Sequence, residues 1–146
     1  MAGGFAHGLW NYALVFFESA EMVDKQEGDT FLLIPKYYLI CHSLELSLKA
    51  FLNHKGVSQK DLKDKFRHNL KALFREARRL DLRKEFRFSS DQWKAILVIN
   101  SYYQGKEFEY ARAGSKRFPL YSVLSSAAEG LLTGISPSIR GRHGLR

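Results

Sequence analysis

A chain of 146 residues, 45% of them hydrophobic and 26% charged, is one domain's worth of sequence with enough apolar content for a real core. A net charge of +8 on so much apolar sequence excludes disorder over the whole chain, and the single cysteine, Cys41, excludes an intrachain disulfide and any multi-cysteine zinc site. Nor does any stretch reach the ~18 consecutive apolar residues of a membrane span, because Lys36, His42, Glu45 and Lys49 interrupt the best one.

Apolar periodicity predicts about five helices. The first runs from Gly8 to Asp24, with Trp10, Ala13, Leu14, Phe17 and Ala20 on one stripe, and Glu27-Gly28-Asp29 breaks it. The second starts at Thr30 or Ile34 and ends near Lys55, with Pro35 opening or kinking its first turns and Gly56 as the stop. On a helical wheel it is apolar or small nearly all round, as the centre of a bundle is. Its one polar wedge holds His42, Glu45 and Lys49. The third runs from Asn69, a plausible N-cap, to Leu80, with Leu70, Leu73, Phe74 and Ala77 inward and Lys71, Arg75, Arg78 and Arg79 outward. The fourth opens at Ser89 or Ser90, where Ser89 and Gln92 fit a capping box, and carries Trp93, Ile96, Leu97 and Tyr103. The fifth runs from Pro119 to Thr133 on Leu120, Leu124, Ala127 and Leu131, with Gly134 ending it. Residues 104–118 form a long loop between the last two helices, with Phe108, Tyr110, Arg112, Lys116 and Arg117. The expectation is a single-domain all-α bundle over residues 1–134, followed by a basic, disordered tail over 135–146.

The positive charge is concentrated. Residues 1–59 carry a net −2, residues 60–87 a net +6, residues 88–139 a net +1 and residues 140–146 a net +3. The central segment is either an ordinary solvated helix face or a face that attracts nucleic acid or another anion.

The polar wedge is the main candidate site. Glu45 and Lys49, spaced i, i+4 with the glutamate first, form either a structural ion pair or a polar patch lining a groove. His42 shares the wedge, and His68 precedes the third helix. Either imidazole is a candidate for proton transfer near neutral pH. The plain role for His68 is a hydrogen bond that orders the helix junction. His42-x-x-Glu45 lacks the second histidine of a zinc-binding His-Glu-x-x-His motif, so no metal site is expected. No phosphate-binding glycine loop and no nucleophile elbow occur, so no cofactor is expected either. Cys41 lies on the apolar side of the second helix and reads as a buried, inert thiol. The N-terminus has no basic region ahead of an apolar core, so no signal peptide and a cytoplasmic location are expected.

Two motifs in order carry a family resemblance. His42-Ser43-Leu44-Glu45-Leu46-Ser47-Leu48-Lys49, within the helix Tyr38 to Leu52, is followed by Phe66-Arg67-His68-Asn69-Leu70. Together they resemble the HEPN family, whose pattern is a His-x-x-Glu-Leu-x-x-Lys helix and then a Gly-His-Asp-Leu type start. Here Arg67 stands where glycine is usual and Asn69 where aspartate is usual. Phe108-Glu-Tyr-Ala-Arg112 also looks like an extended aromatic–arginine segment that some members carry. The resemblance spans residues 8–133. It implies an up-down helical bundle, often a homodimer, working with RNA or nucleotides in toxin–antitoxin, defence or stress systems. Catalytic members are metal-independent ribonucleases with an Arg-x4–6-His motif. No histidine of this chain has an arginine at that spacing, so the resemblance implies a non-catalytic member.

The expected function is therefore a non-enzymatic module binding RNA, a nucleotide or a protein partner. Its groove would be lined by Glu45, Lys49, His68, Tyr110 and Arg112, with the two cations on phosphate and Tyr110 against a base. One alternative is a metal-independent ribonuclease using His42 or His68 with Arg112. Another is a structural, antitoxin-like subunit that pairs through an apolar helix face.

Overall fold

The computed structural model describes residues 2–26, 33–106 and 118–141, and among them every regular element is helical. Helix α1 spans Ala2–Asp24, α2 Leu33–His54, α3 the short stretch Gln59–Asp61, α4 Leu70–Arg79, α5 Ser90–Gln104 and α6 Tyr121–Arg140. A single π turn, Leu62–Phe66, continues α3, and a 3₁₀ turn, Leu82–Lys84, follows α4. None of the described helices is long and apolar enough to cross a membrane.

Helix α2 is the centre, packed against α1, α4, α5 and α6. The near-complete apolar wheel demands this place, since Tyr37, Ile40, Leu44, Leu48, Phe51 and Leu52 point into the core from several sides. On α1, Ala6, Ala13 and Ala20 recur every seven residues and are fully buried. Small side chains let the α2 backbone come close, and Ser43 Oγ donates to the Ala13 carbonyl at 2.7 Å. Helix α6 is tied to α1 by Trp10 Nε1, which donates to the Leu132 carbonyl at 3.0 Å. The Tyr121 and Ser125 hydroxyls both donate to the Glu21 carboxylate, at 2.6 and 3.0 Å.

The expected stop and start signals act as such. Past α2, Gly56 takes φ +105°, the Gly56 N–H bonds the Asn53 carbonyl and the Val57 N–H bonds that of Leu52, each at 3.0 Å. That pair of bonds is a Schellman end. Asn69 Oδ1 accepts from the Ala72 N–H at 3.1 Å, and Ser89 with Gln92 closes the capping box.

Several expectations need correction. The described residues hold six helices where about five were expected, the short Gln59–Asp61 being the addition, and Leu97 of α5 is exposed rather than part of its apolar side. Helix α1 starts at Ala2 rather than Gly8, because buried Ala6 and Trp10 hold a glycine-rich first turn that propensity alone disfavours. Leu120 is exposed and precedes α6 instead of joining its stripe. Gly134 does not end the last helix, which runs on to Arg140, so the stretch from Ser136 to Arg140 is helix and not a disordered tail. Ile135 and Ile139 are buried and anchor this extension. Gly134 serves close packing instead: a Cβ there would lie 2.7 Å from the Glu85 carbonyl oxygen and 2.8 Å from Phe86 Cβ.

Candidate functional site

The polar wedge of α2 meets the start of α4 and the last turns of α5. Glu45 sits at the centre, with 2% of its side chain exposed. The π turn and Arg67 bring His68 over it, and His68 Nδ1 lies 3.0 Å from Glu45 Oε1. Lys49 Nζ donates to Glu45 Oε2 at 2.7 Å. The Tyr103 hydroxyl donates to Oε1 from α5. His42 Nδ1 is 3.6 Å from Oε1 and 2.9 Å from the Tyr103 hydroxyl.

Hydrogen-bond accounting assigns the protons. The one Tyr103 proton goes to Glu45, so the Tyr103 oxygen accepts from His42 Nδ1–H. An ionised Glu45 only accepts, so His68 also carries its proton on Nδ1. Both imidazoles then keep Nε2 free of the carboxylate. Burial pushes the Glu45 carboxyl up, but the His42 imidazole, the charge and hydrogen bond of Lys49 and the Tyr103 hydroxyl outweigh it and hold it at about 2, against the usual 4.5. Burial, and then the Glu45 charge, push the Tyr103 phenol far up. Cys41 is fully buried, and burial with the nearby Glu45 charge raises its thiol well above the ordinary value.

The wedge is thus a sealed anion with a single more open member. His68 has 46% of its side chain exposed, against 21% for His42 and 12% for Lys49. Glu45 and Lys49 form a buried ion pair, and His68 is the member of the cluster most open to solvent. The structure brings together four of the six residues singled out from the sequence, His42, Glu45, Lys49 and His68. The other two, Tyr110 and Arg112, lie outside the described residues. Among the described residues, no group of three or more histidine, cysteine, aspartate or glutamate side chains is placed to hold a metal ion.

Two contributors escape sequence reasoning. Tyr103 reads as an apolar residue of α5, and only the packing of α5 on α2 turns its hydroxyl to Glu45. Asn100, one turn earlier, accepts from the Leu70 N–H at 2.8 Å and donates to Asn69 Oδ1 at 3.2 Å, closing the N-terminus of α4 beside His68. Their spacing of three residues on an otherwise apolar face was the available signal.

A second feature comes from the basic segment. Arg75, Arg78, Arg79 and Arg83 line one shallow cleft of about 340 Å³ along α4 and the 3₁₀ turn. Arg79 forks onto Glu76, at 2.8 and 2.7 Å. Arg78 lies 5.6 Å over the Phe74 ring. Among the described residues, neither Arg75 nor Arg83 is held in an ion pair. Arg79 is thus matched by a carboxylate, while Arg75, Arg78 and Arg83 bring positive charge to the cleft without an ion-pair partner among the described residues, which makes it a candidate anion-binding surface.

No protein-family model, no curated protein and no solved structure matches this chain.

Proposed function

We propose that this chain is a non-enzymatic, HEPN-like helical module that binds RNA through the arginine cleft of α4. The observation that carries the reading is the gathering of Arg75, Arg78, Arg79 and Arg83 in one cleft, which turns the basic segment from a count into a face. Two backbone features are compatible with the family resemblance. Arg67, at the place where the family pattern has glycine, takes φ +49°, a conformation that favours glycine. Asn69, at the place of the family's aspartate, caps α4 as an aspartate would. Within this reading the Glu45 cluster is the structural keystone that joins α2, α4 and α5.

The test is RNA binding by the purified protein across a salt series, with a metal-free cleavage control in the same tubes. Tight binding that weakens log-linearly with salt, without cleavage, is the expected result. Absence of binding at low salt overturns it and moves the weight to a protein partner or a small nucleotide.

One observation favours a second reading, a metal-independent ribonuclease. Glu45 holds His68 Nδ1–H and leaves Nε2 of a half-exposed imidazole available, which is how a carboxylate prepares a general base. That reading expects metal-free cleavage that disappears in His68→Ala.

A further inference from the structure

Beside the arginine cleft lies a second, smaller cavity of about 200 Å³, between α4, the segment after the 3₁₀ turn and the start of α5. Its chemistry differs from that of the cleft. Phe74, Phe88 and Trp93 form an aromatic wall, with Trp93 stacked on Phe74 at a centroid distance of 4.1 Å and Phe88 at 5.2 Å from Phe74. Trp93 and Phe88 are half-buried, so ring surface is left to the cavity they line. Arg78, Arg83 and Arg87 stand around it, and no aspartate or glutamate is among the lining residues. Arg78 and Arg83 belong to both the cleft and the cavity, so the two are continuous.

The Ser89 and Gln92 amides are already taken by the capping box, at 2.9 and 3.1 Å. The arginines supply the charge. Three guanidiniums without a carboxylate select an anion, and an aromatic wall selects an anion that carries a flat ring. The volume lies below the roughly 300–1,000 Å³ of clefts for drug-sized ligands, so it has room for one base, with a sugar and phosphate lying at the arginine rim.

The geometry points to a binding site for a single nucleotide, its base against Trp93 and Phe88 and its phosphate held by Arg83 and Arg87. This deepens the RNA-binding reading and rests on it in one respect: the nucleotide is either an unpaired unit of a strand lying in the arginine cleft or a free mononucleotide. Aromatic stacking accepts any base, so the site reads base exposure more than base identity.

Trp93 provides the probe. The full chain is titrated with adenosine 5′-monophosphate, adenosine and inorganic phosphate, followed by tryptophan fluorescence and by calorimetry. The nucleotide should bind at least about tenfold more tightly than either half alone, roughly the effect of one stacked base. It should also quench the fluorescence, and Trp93→Phe should remove that quenching. Exposed Arg87 lines the cavity but not the cleft, and Arg75 lines the cleft but not the cavity. Arg87→Glu should therefore weaken nucleotide binding at least about tenfold, while Lys25→Glu, exposed just past α1 and outside both cavities, leaves it unchanged. Nucleotide binding no tighter than that of phosphate, or insensitive to Arg87→Glu, overturns the site. The salt series with an unpaired oligoadenylate separates the two proposals. RNA binding without nucleotide preference overturns the cavity alone. Nucleotide binding at the cavity without RNA binding overturns the RNA reading and assigns the cavity to a free nucleotide.

Discussion

Glu45 concentrates the physics of the molecule at the scale of one residue. Taking a carboxylate out of water is costly, and only a full set of donors makes it tolerable. Tyr103, His68 and Lys49 supply that set from two helices and a junction. Because the folded-state value of the carboxyl is depressed, its stabilisation is complete above pH 4.5 and is lost as pH falls toward about 2. A carboxyl moved over that interval is linked to about 3 kcal/mol. Glu45→Gln should lose on the order of 3 kcal/mol at neutral pH, because Lys49 is left buried without its counter-charge. Its stability should also flatten over this acid window, and urea unfolding at a series of pH values reads both effects. Arg67 presents the opposite case, a residue in a backbone conformation that suits glycine. Arg67→Gly should raise stability by about 1 kcal/mol, because relief of the strained backbone outweighs the added freedom of the unfolded chain. Thermal unfolding of the pair of proteins decides the sign.

At the scale of elements, glycine is the residue whose meaning depends most on its neighbours. Gly56 ends α2 as the sequence suggests, because its φ of +105° closes the Schellman bonds. Gly134 looks the same in the sequence and does something else. It lies inside α6, where Glu85 and Phe86 come too close for any side chain, and Gly130 one turn earlier likewise makes room for the Phe86 ring. Helix propensity alone would have Gly134→Ala gain about 1 kcal/mol. Contact with the backbone of the 85–86 segment reverses that sign, and a loss of about 1–3 kcal/mol is expected in denaturant unfolding. The short π turn 62–66 is another feature without a clear period. It is what lifts His68 over Glu45 after α3 ends.

At the scale of the whole molecule the decisive quantity is where the charge lies. A net +8 spread evenly would serve solubility, whereas four arginines of the basic segment 60–87 gathered in one cleft make a directed field. Each phosphate contact with a single strand contributes about 0.7 to the slope of log affinity against log salt. Arg75→Glu and Arg79→Glu together should lower both affinity and that slope, the slope by about one unit or more, in filter binding of an unpaired RNA. Charge reversal at Lys94, exposed on α5 and outside the cleft, should leave the slope nearly unchanged by comparison. The homodimer implied by the family resemblance is read directly by sedimentation equilibrium, with a mass twice that of the 16.8 kDa chain expected.

Most of the fold was legible in the sequence, because helices are local. Periodicity, the Asn69 cap, the Ser89–Gln92 box and the Gly56 stop all act within a few residues, so their outcome hardly depends on the rest of the chain. The central place of α2 was legible too, since a helix apolar on every side has nowhere else to go. The wedge His42, Glu45 and Lys49 shares one helix face, and His68 was a candidate from its place before the third helix, although nothing local put it beside Glu45. What only the tertiary structure decided were contacts between residues far apart in the chain. Tyr103 lies 58 positions from Glu45, and nothing local distinguishes its hydroxyl from that of any other tyrosine on an apolar face. Gly134 meets Glu85 and Phe86 across the core, which overrides its usual meaning as a helix stop. The arginine cleft and the aromatic cavity beside it exist only where α4, the 3₁₀ turn and α5 come together. Local free energies are written in short spacings, whereas a site is a meeting of distant side chains that packing alone arranges.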